Sequence, residues 1–162
     1  MTLLLCGFQG SGKSTVGEAL AQRWKCRFID TDHEMERREN RSIRKLYAEL
    51  GQRRFRQLER KVVDELSCGE RSVIALGGGT LLDPKNQERL RPLGPIVYLE
   101  LPLSLLRERW EGDPSFAPTP KMQESAFADR VEIYQTICDH TIPTAGLEVE
   151  EVIEEVVRTY GE

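Results

Sequence analysis

Residues Gly7 to Ser14 read GFQGSGKS, between a short apolar run, Leu3-Leu4-Leu5-Cys6, and a helix-like stretch from Thr15 to Trp24. No other segment constrains the fold as strongly. Glycines at 7, 10 and 12 let the backbone curl until successive N–H groups point inward. A helix starting directly behind them adds the positive end of its dipole at the same place. The spacing, and the order of strand, glycine loop and helix, fit the phosphate-binding P-loop. In that reading Gly10, Ser11, Gly12 and Thr15 belong to the ATP cradle, Lys13 reaches the β- and γ-phosphates, and the Ser14 hydroxyl ligates Mg²⁺.

Further strand-like runs follow at Arg27–Ile29, Ser72–Leu76 and Ile96–Leu101, with a weaker one at His140–Pro143. Helical patterns lie between them, at Ser42–Leu50, Gln52–Cys68, Pro84–Arg91, Leu103–Trp110, Glu124–Cys138 and Val149–Tyr160, the first two separated at Gly51. Strands alternating with helices predict an α/β fold, a parallel sheet with helices on both faces. Right-handed crossovers make it doubly wound, and ligands then bind beyond the carboxyl ends of the strands. The chain has 162 residues, a length suited to one domain with a real core.

Three segments after predicted strands carry polar chemistry: Gly7–Ser14, Asp30-Thr31-Asp32 and Gly77-Gly78-Gly79. Two carboxylates two positions apart suit Mg²⁺ and a substrate hydroxyl, yet aspartates also cap helices and fill turns. Three glycines at a strand's end let a ligand approach the backbone closely, or form an ordinary turn. In RRFRQLERK, Arg56 and Glu59 stand three apart and can pair on one side of a helix. Composition does not single out Arg56 from its neighbours, nor Arg130 in ADRVEIY.

The net charge of −4 argues against bulk binding to nucleic acid, so positive charge for an ATP site must be concentrated locally. The apolar runs are too short for a membrane span, and no secretory signal is expected. Cys6, Cys26, Cys68 and Cys138 form no CxxC pair, and with only His33 and His140 the expectation is reduced thiols in a cytoplasmic protein without structural zinc.

Taken in order, GFQGSGKST, FIDTDHEME, RSIRKLYAELGQRRFRQLE, VIALGGG, VYLELP and DRVEIY strongly resemble shikimate kinase over nearly the whole chain. The resemblance implies a P-loop, nucleoside-monophosphate-kinase-like fold with a five-stranded parallel sheet in order 2-3-1-4-5. It implies a single kinase domain over 1–162, with a substrate-binding region near 31–61 and a lid near 111–122. The implied activity is transfer of the ATP γ-phosphate to the 3-hydroxyl of shikimate, giving shikimate 3-phosphate and ADP, in a monomer serving aromatic amino-acid biosynthesis. By motif position, Lys13 stabilises phosphate charge, Ser14 ligates Mg²⁺, and Asp30 helps hold the ion. Asp32 orients or deprotonates the attacking hydroxyl, Arg56 and Arg130 clamp the shikimate carboxylate, and backbone N–H groups of Gly78 and Gly79 meet the ring substituents. Arg109 resembles an adenine-packing arginine, with Trp110 beside it. Ile43, Tyr47 and Phe55 match apolar positions near the acceptor, and Glu59 orients an arginine.

The chain departs from the family in the lid. Phe116 to Pro120 read FAPTP, and Ala117 stands where members carry an arginine that reaches the ATP phosphates. Lys121 offers charge without the planar fork. The expectation is a weakened or rewired lid. Asn40, near a frequent glycine, is a residue that tolerates left-handed backbone. Two other readings stay open on the residues: a kinase for another hydroxylated acid or sugar such as gluconate, and a nucleotide-binding protein that has lost transfer.

Overall fold

The computed structural model describes residues 1–67, 69–114 and 125–162. Cys68, Ala117, Lys121 and most of the expected lid lie outside these residues. In chain order the elements are β1 (Thr2–Cys6), α1 (Lys13–Arg23), β2 (Arg27–Asp30), α2 (Thr31–Glu39), α3 (Ile43–Glu65), β3 (Ser72–Ala75), α4 (Pro84–Leu90), β4 (Ile96–Glu100), α5 (Leu103–Gly112), α6 (Ser125–Ile137), β5 (His140–Pro143) and α7 (Val149–Tyr160). Short 3₁₀ turns at Thr80–Leu82 and Arg91–Leu93 flank α4.

The five strands form one parallel sheet in the order β2-β3-β1-β4-β5, as expected. β1 is central and buried on both faces. Its side chains alternate between two cores, because successive residues of a strand point to opposite sides. Leu3 and Leu5 pack with Val16 and Leu20 of α1 and Val152 and Val156 of α7. Leu4 and Cys6 face the other way, toward Val63, Leu90, Leu106 and Tyr134. Pairing of Leu4 with both Ile74 and Ile96 fixes the register on either side. The chain leaves β1 where the strand order reverses, so the glycine loop lies in the crevice at the carboxyl edge.

One helix was not anticipated. α2 follows β2 without a connecting loop, and Asp30 caps it by accepting hydrogen bonds from the N–H groups of Asp32 (2.9 Å) and His33 (3.1 Å). Of its residues only Thr31 and Met35 are fully buried, with Asp32 partly so, and it lacks the recurring apolar stripe that reveals a helix. It ends at Asn40, which takes the left-handed conformation at φ 52°. The expected break at Gly51 is present, as a kink with φ 75° inside α3. A third apolar cluster, Met35, Leu46, Phe55 and Val62, packs α2 against both halves of α3.

Tyr98 on β4 is fully buried, and its hydroxyl has no hydrogen-bond partner among the described residues. Burial pushes this phenol well above its ordinary range. Tyr98→Phe removes an unsatisfied polar atom at almost constant volume and is expected to stabilise by about 1 kcal/mol. A thermal melt should show a rise of roughly 2–4 °C; a fall would mean that the hydroxyl is bonded in solution.

Candidate active site

The loop after β1 uses its glycines where a side chain is excluded. Gly10 and Gly12 have φ of 80° and 94°, in the left-handed region that disfavours a Cβ. Phe8 accepts the N–H of Ser11 (3.1 Å), closing a turn. Lys13, the first residue of α1, folds back so that its Nζ donates to the carbonyls of Gly7 (2.7 Å) and Phe8 (2.9 Å). Burial lowers its pKa, and the nearby Asp32 carboxylate opposes that shift. An amine is thus held inside the loop with a carboxylate close by.

Beside it, Ser14 Oγ donates to Asp30 Oδ2 at 2.5 Å. Asp30 thus has two tasks: one oxygen caps α2 and the other meets the loop's serine. The capping reading of the DTD triplet holds for this residue, and its second oxygen stays turned to the loop. A hydroxyl and a carboxylate oxygen side by side are hard donors, and a set this small fits Mg²⁺, which keeps several waters and takes its other ligands from substrate phosphates.

Asp32 lies two residues on, in the first turn of α2, against the glycine triplet. A Cβ built on Gly77 would stand 2.5 Å from its Oδ1. Burial first, and then the Asp30 carboxylate, push its pKa up to about 7, while Lys13 pulls it down. A carboxyl poised near neutrality is what a general base requires.

Glu59 organises the opposite wall. It is 1% exposed, and its two oxygens accept from Arg56 Nη1 (2.8 Å) and Thr80 Oγ1 (2.9 Å). That ties α3 to the turn after the triplet and fixes the Arg56 guanidinium against Gly79, where a Cβ would overlap it. Arg130 on α6 enters from the other side, 3.5 Å from the Gly78 carbonyl, which also accepts the Tyr134 hydroxyl. Burial lowers the pKa of Arg130. Gly77 donates its N–H to Thr31 Oγ1 (2.9 Å), whereas the N–H groups of Gly78 and Gly79 have no partner among the described residues.

These groups open into one cavity of about 800 Å³. Every residue expected at the site lines it except Ser11, whose side chain is buried and would abut a Cβ on Gly7. Arg109 and Trp110 border the loop: Arg109 Nη1 donates to the Gly10 carbonyl (2.6 Å) and Trp110 Nε1 to that of Gln9 (2.8 Å). Ile43, Tyr47 and Phe55 also line the cavity while packing in or against the third cluster. Thr31, Thr80 and Tyr134 were missed. Tyr134 had a usable signal, since it stands four residues after Arg130 and so shares its helix face. Thr31 and Thr80 had none, because their partners lie 46 and 21 residues away.

Among the described residues, no helix is long and apolar enough to cross a membrane. The sequence model of the family described as shikimate kinase matches residues 9–160. A shikimate kinase of Persephonella marina is 33% identical over 158 residues, covering 96% of this chain and 96% of its own. A solved shikimate kinase from Acinetobacter baumannii in complex with shikimate superposes with a TM-score of 0.87 at 29% identity, over 98% of this chain and 91% of that one. The shikimate kinase of Aquifex aeolicus gives a TM-score of 0.82 at 30% identity, over 98% and 95%. A family match along almost the entire length, joined to a P-loop and a carboxyl-and-guanidinium wall facing one cavity, places this chain in the shikimate kinase family.

Proposed function

We propose that this cavity transfers the γ-phosphate of ATP to the 3-hydroxyl of shikimate, releasing shikimate 3-phosphate and ADP. The observation that carries the reading is the placement of Asp32. It lies close to Lys13 of the phosphate loop and against Gly77, the first residue of the glycine triplet. Gly10, Ser11, Gly12 and Thr15 surround the ATP phosphates, and Arg109 packs on the adenine. Asp32 takes the proton of the attacking hydroxyl. The substrate's carboxylate is held by Arg56 and Arg130, and the N–H groups of Gly78 and Gly79 meet its ring oxygens. Ser14 and Asp30 would hold Mg²⁺, which when bound neutralises phosphate charge. Lys13 stabilises the phosphoryl group in flight, since such a transfer needs positioning and charge compensation more than covalent help. Residues 31–61 form the acceptor side of a single kinase domain acting as a monomer in the cytoplasm.

The test is ADP release with ATP and Mg²⁺, comparing shikimate with gluconate. Turnover is expected with shikimate alone, and comparable turnover with gluconate would overturn the assignment. Arg56→Ala should raise the shikimate KM roughly 10–100-fold, the worth of a charge-assisted bidentate contact. The ATP KM should stay nearly unchanged. An equal loss for both ligands would remove Arg56 from the acceptor wall.

A further inference from the structure

The first carbonyls of the tight turn in the phosphate loop are not left to water. Gln9 O accepts the indole N–H of Trp110 (2.8 Å), and Gly10 O accepts Arg109 Nη1 (2.6 Å). Two successive residues at the end of α5 thus grip two successive peptide units of the loop. The peptide plane gives this a consequence. In a trans peptide the C=O of one residue and the N–H of the next point in opposite directions. Holding the Gln9 carbonyl toward α5 therefore aims the Gly10 N–H away from α5. Holding the Gly10 carbonyl likewise turns the Ser11 N–H inward, where it meets Phe8 O (3.1 Å).

The two donors differ in firmness. Arg109 is exposed at the edge of the cavity. Trp110 is 4% exposed and belongs to the core cluster with Phe8, Leu106 and Tyr134. Its Nε1 would stand 3.3 Å from a Cβ on Gly10, so the ring edge fills the space that this glycine leaves open. A buried indole has few rotamers to lose and needs a partner for its N–H; here that partner is a loop carbonyl.

We infer that Trp110 is a positioning residue for nucleotide: through the Gln9 carbonyl it presets the direction of the Gly10 N–H, a donor to the ATP phosphates. This deepens the reading in which the loop takes ATP, and it rests on that reading. Trp110→Phe keeps an aromatic ring in the core and removes the strap together with part of the indole's volume. The expected result is an ATP Kd and KM raised about 5–10-fold, the worth of one oriented donor. The shikimate KM should be unchanged, while the melting temperature falls by a few degrees with the lost packing.

A second measurement uses the unaltered protein and two indoles. Trp24 donates to Gly161 O (3.1 Å), at the end of α1 opposite the loop. In a ¹⁵N–¹H spectrum titrated with ATP, the Trp110 indole resonance should move and that of Trp24 should stay. ATP binding equal in Trp110→Phe and wild type by calorimetry would overturn the proposal while leaving the ATP reading intact. A Trp110 indole that is indifferent to saturating ATP would do the same. Absence of any ATP heat with the wild-type protein would remove both.

Discussion

Asp32→Asn should lower turnover by about 10²–10⁴-fold, the range set by losing a positioned general base, and should nevertheless make the protein more stable at pH 8. The two effects have one cause. Folding raises the pKa of this carboxyl from 3.8 to about 7, chiefly by burial. Below about pH 4 the group is protonated in both folded and unfolded chains, and its burial costs no charge. Between about pH 4 and 7 the unfolded chain has released the proton that the folded chain retains, so stability falls as pH rises. Above about pH 7 the loss is complete, because a charge then sits in a site that disfavours it. Asparagine is neutral throughout. Melting curves of the two proteins should coincide near pH 4 and separate by roughly 10 °C at pH 8, with the variant higher. In the wild type, kcat/KM for shikimate should climb with pH through about 7, following ionisation of the same carboxyl. A variant no more stable than wild type at alkaline pH would show that the carboxylate is fully compensated in the fold.

The second large effect belongs to Lys13. Lys13→Met should reduce kcat about 10³-fold, the scale on which a charge that stabilises phosphoryl transfer is worth measuring. It should also move Asp32. The ammonium group lowers the Asp32 pKa, while the carboxylates of Asp30, Glu59 and Glu36 raise it. Without Lys13, the pH at which stability is lost should shift upward. Adding Asp32→Asn to Lys13→Met should then produce a smaller further fall in rate than it does alone, because the two groups act on one transferring phosphate. Quench-flow rates for the two single variants and the double variant form the cycle that measures this; fully additive losses would mean that the residues act independently.

Where the sequence speaks in periods and in glycines, the fold is readable. β1 and the loop behind it could be placed because the positive-φ positions Gly10 and Gly12 admit few substitutes. That the sheet is parallel followed from alternation, and the order of its strands from the resemblance. α2 escaped, since a helix held by Met35 below and an aspartate cap above shows no stripe. The pairing of Arg56 with Glu59 was legible in their spacing of three. The third member of that group, Thr80, was not, for it arrives from beyond β3. Arg56 and Arg130 were chosen through family likeness; their burial and their contact with Gly79 and Gly78 are tertiary facts that local pattern does not encode.

The glycine triplet has a consequence for drug resistance. A methyl group on Gly77 would strike Asp32, and one on Gly79 would strike Arg56. Neither side chain can retreat without leaving its post. An inhibitor seated against this wall would therefore confront a surface with little room for escape mutations, since a change that repels the compound also displaces Asp32 or Arg56, the groups proposed to activate and hold the acceptor. Resistance would have to arise elsewhere, at the rim formed by residues such as Ile43 and Arg44, where side chains already project into the cavity.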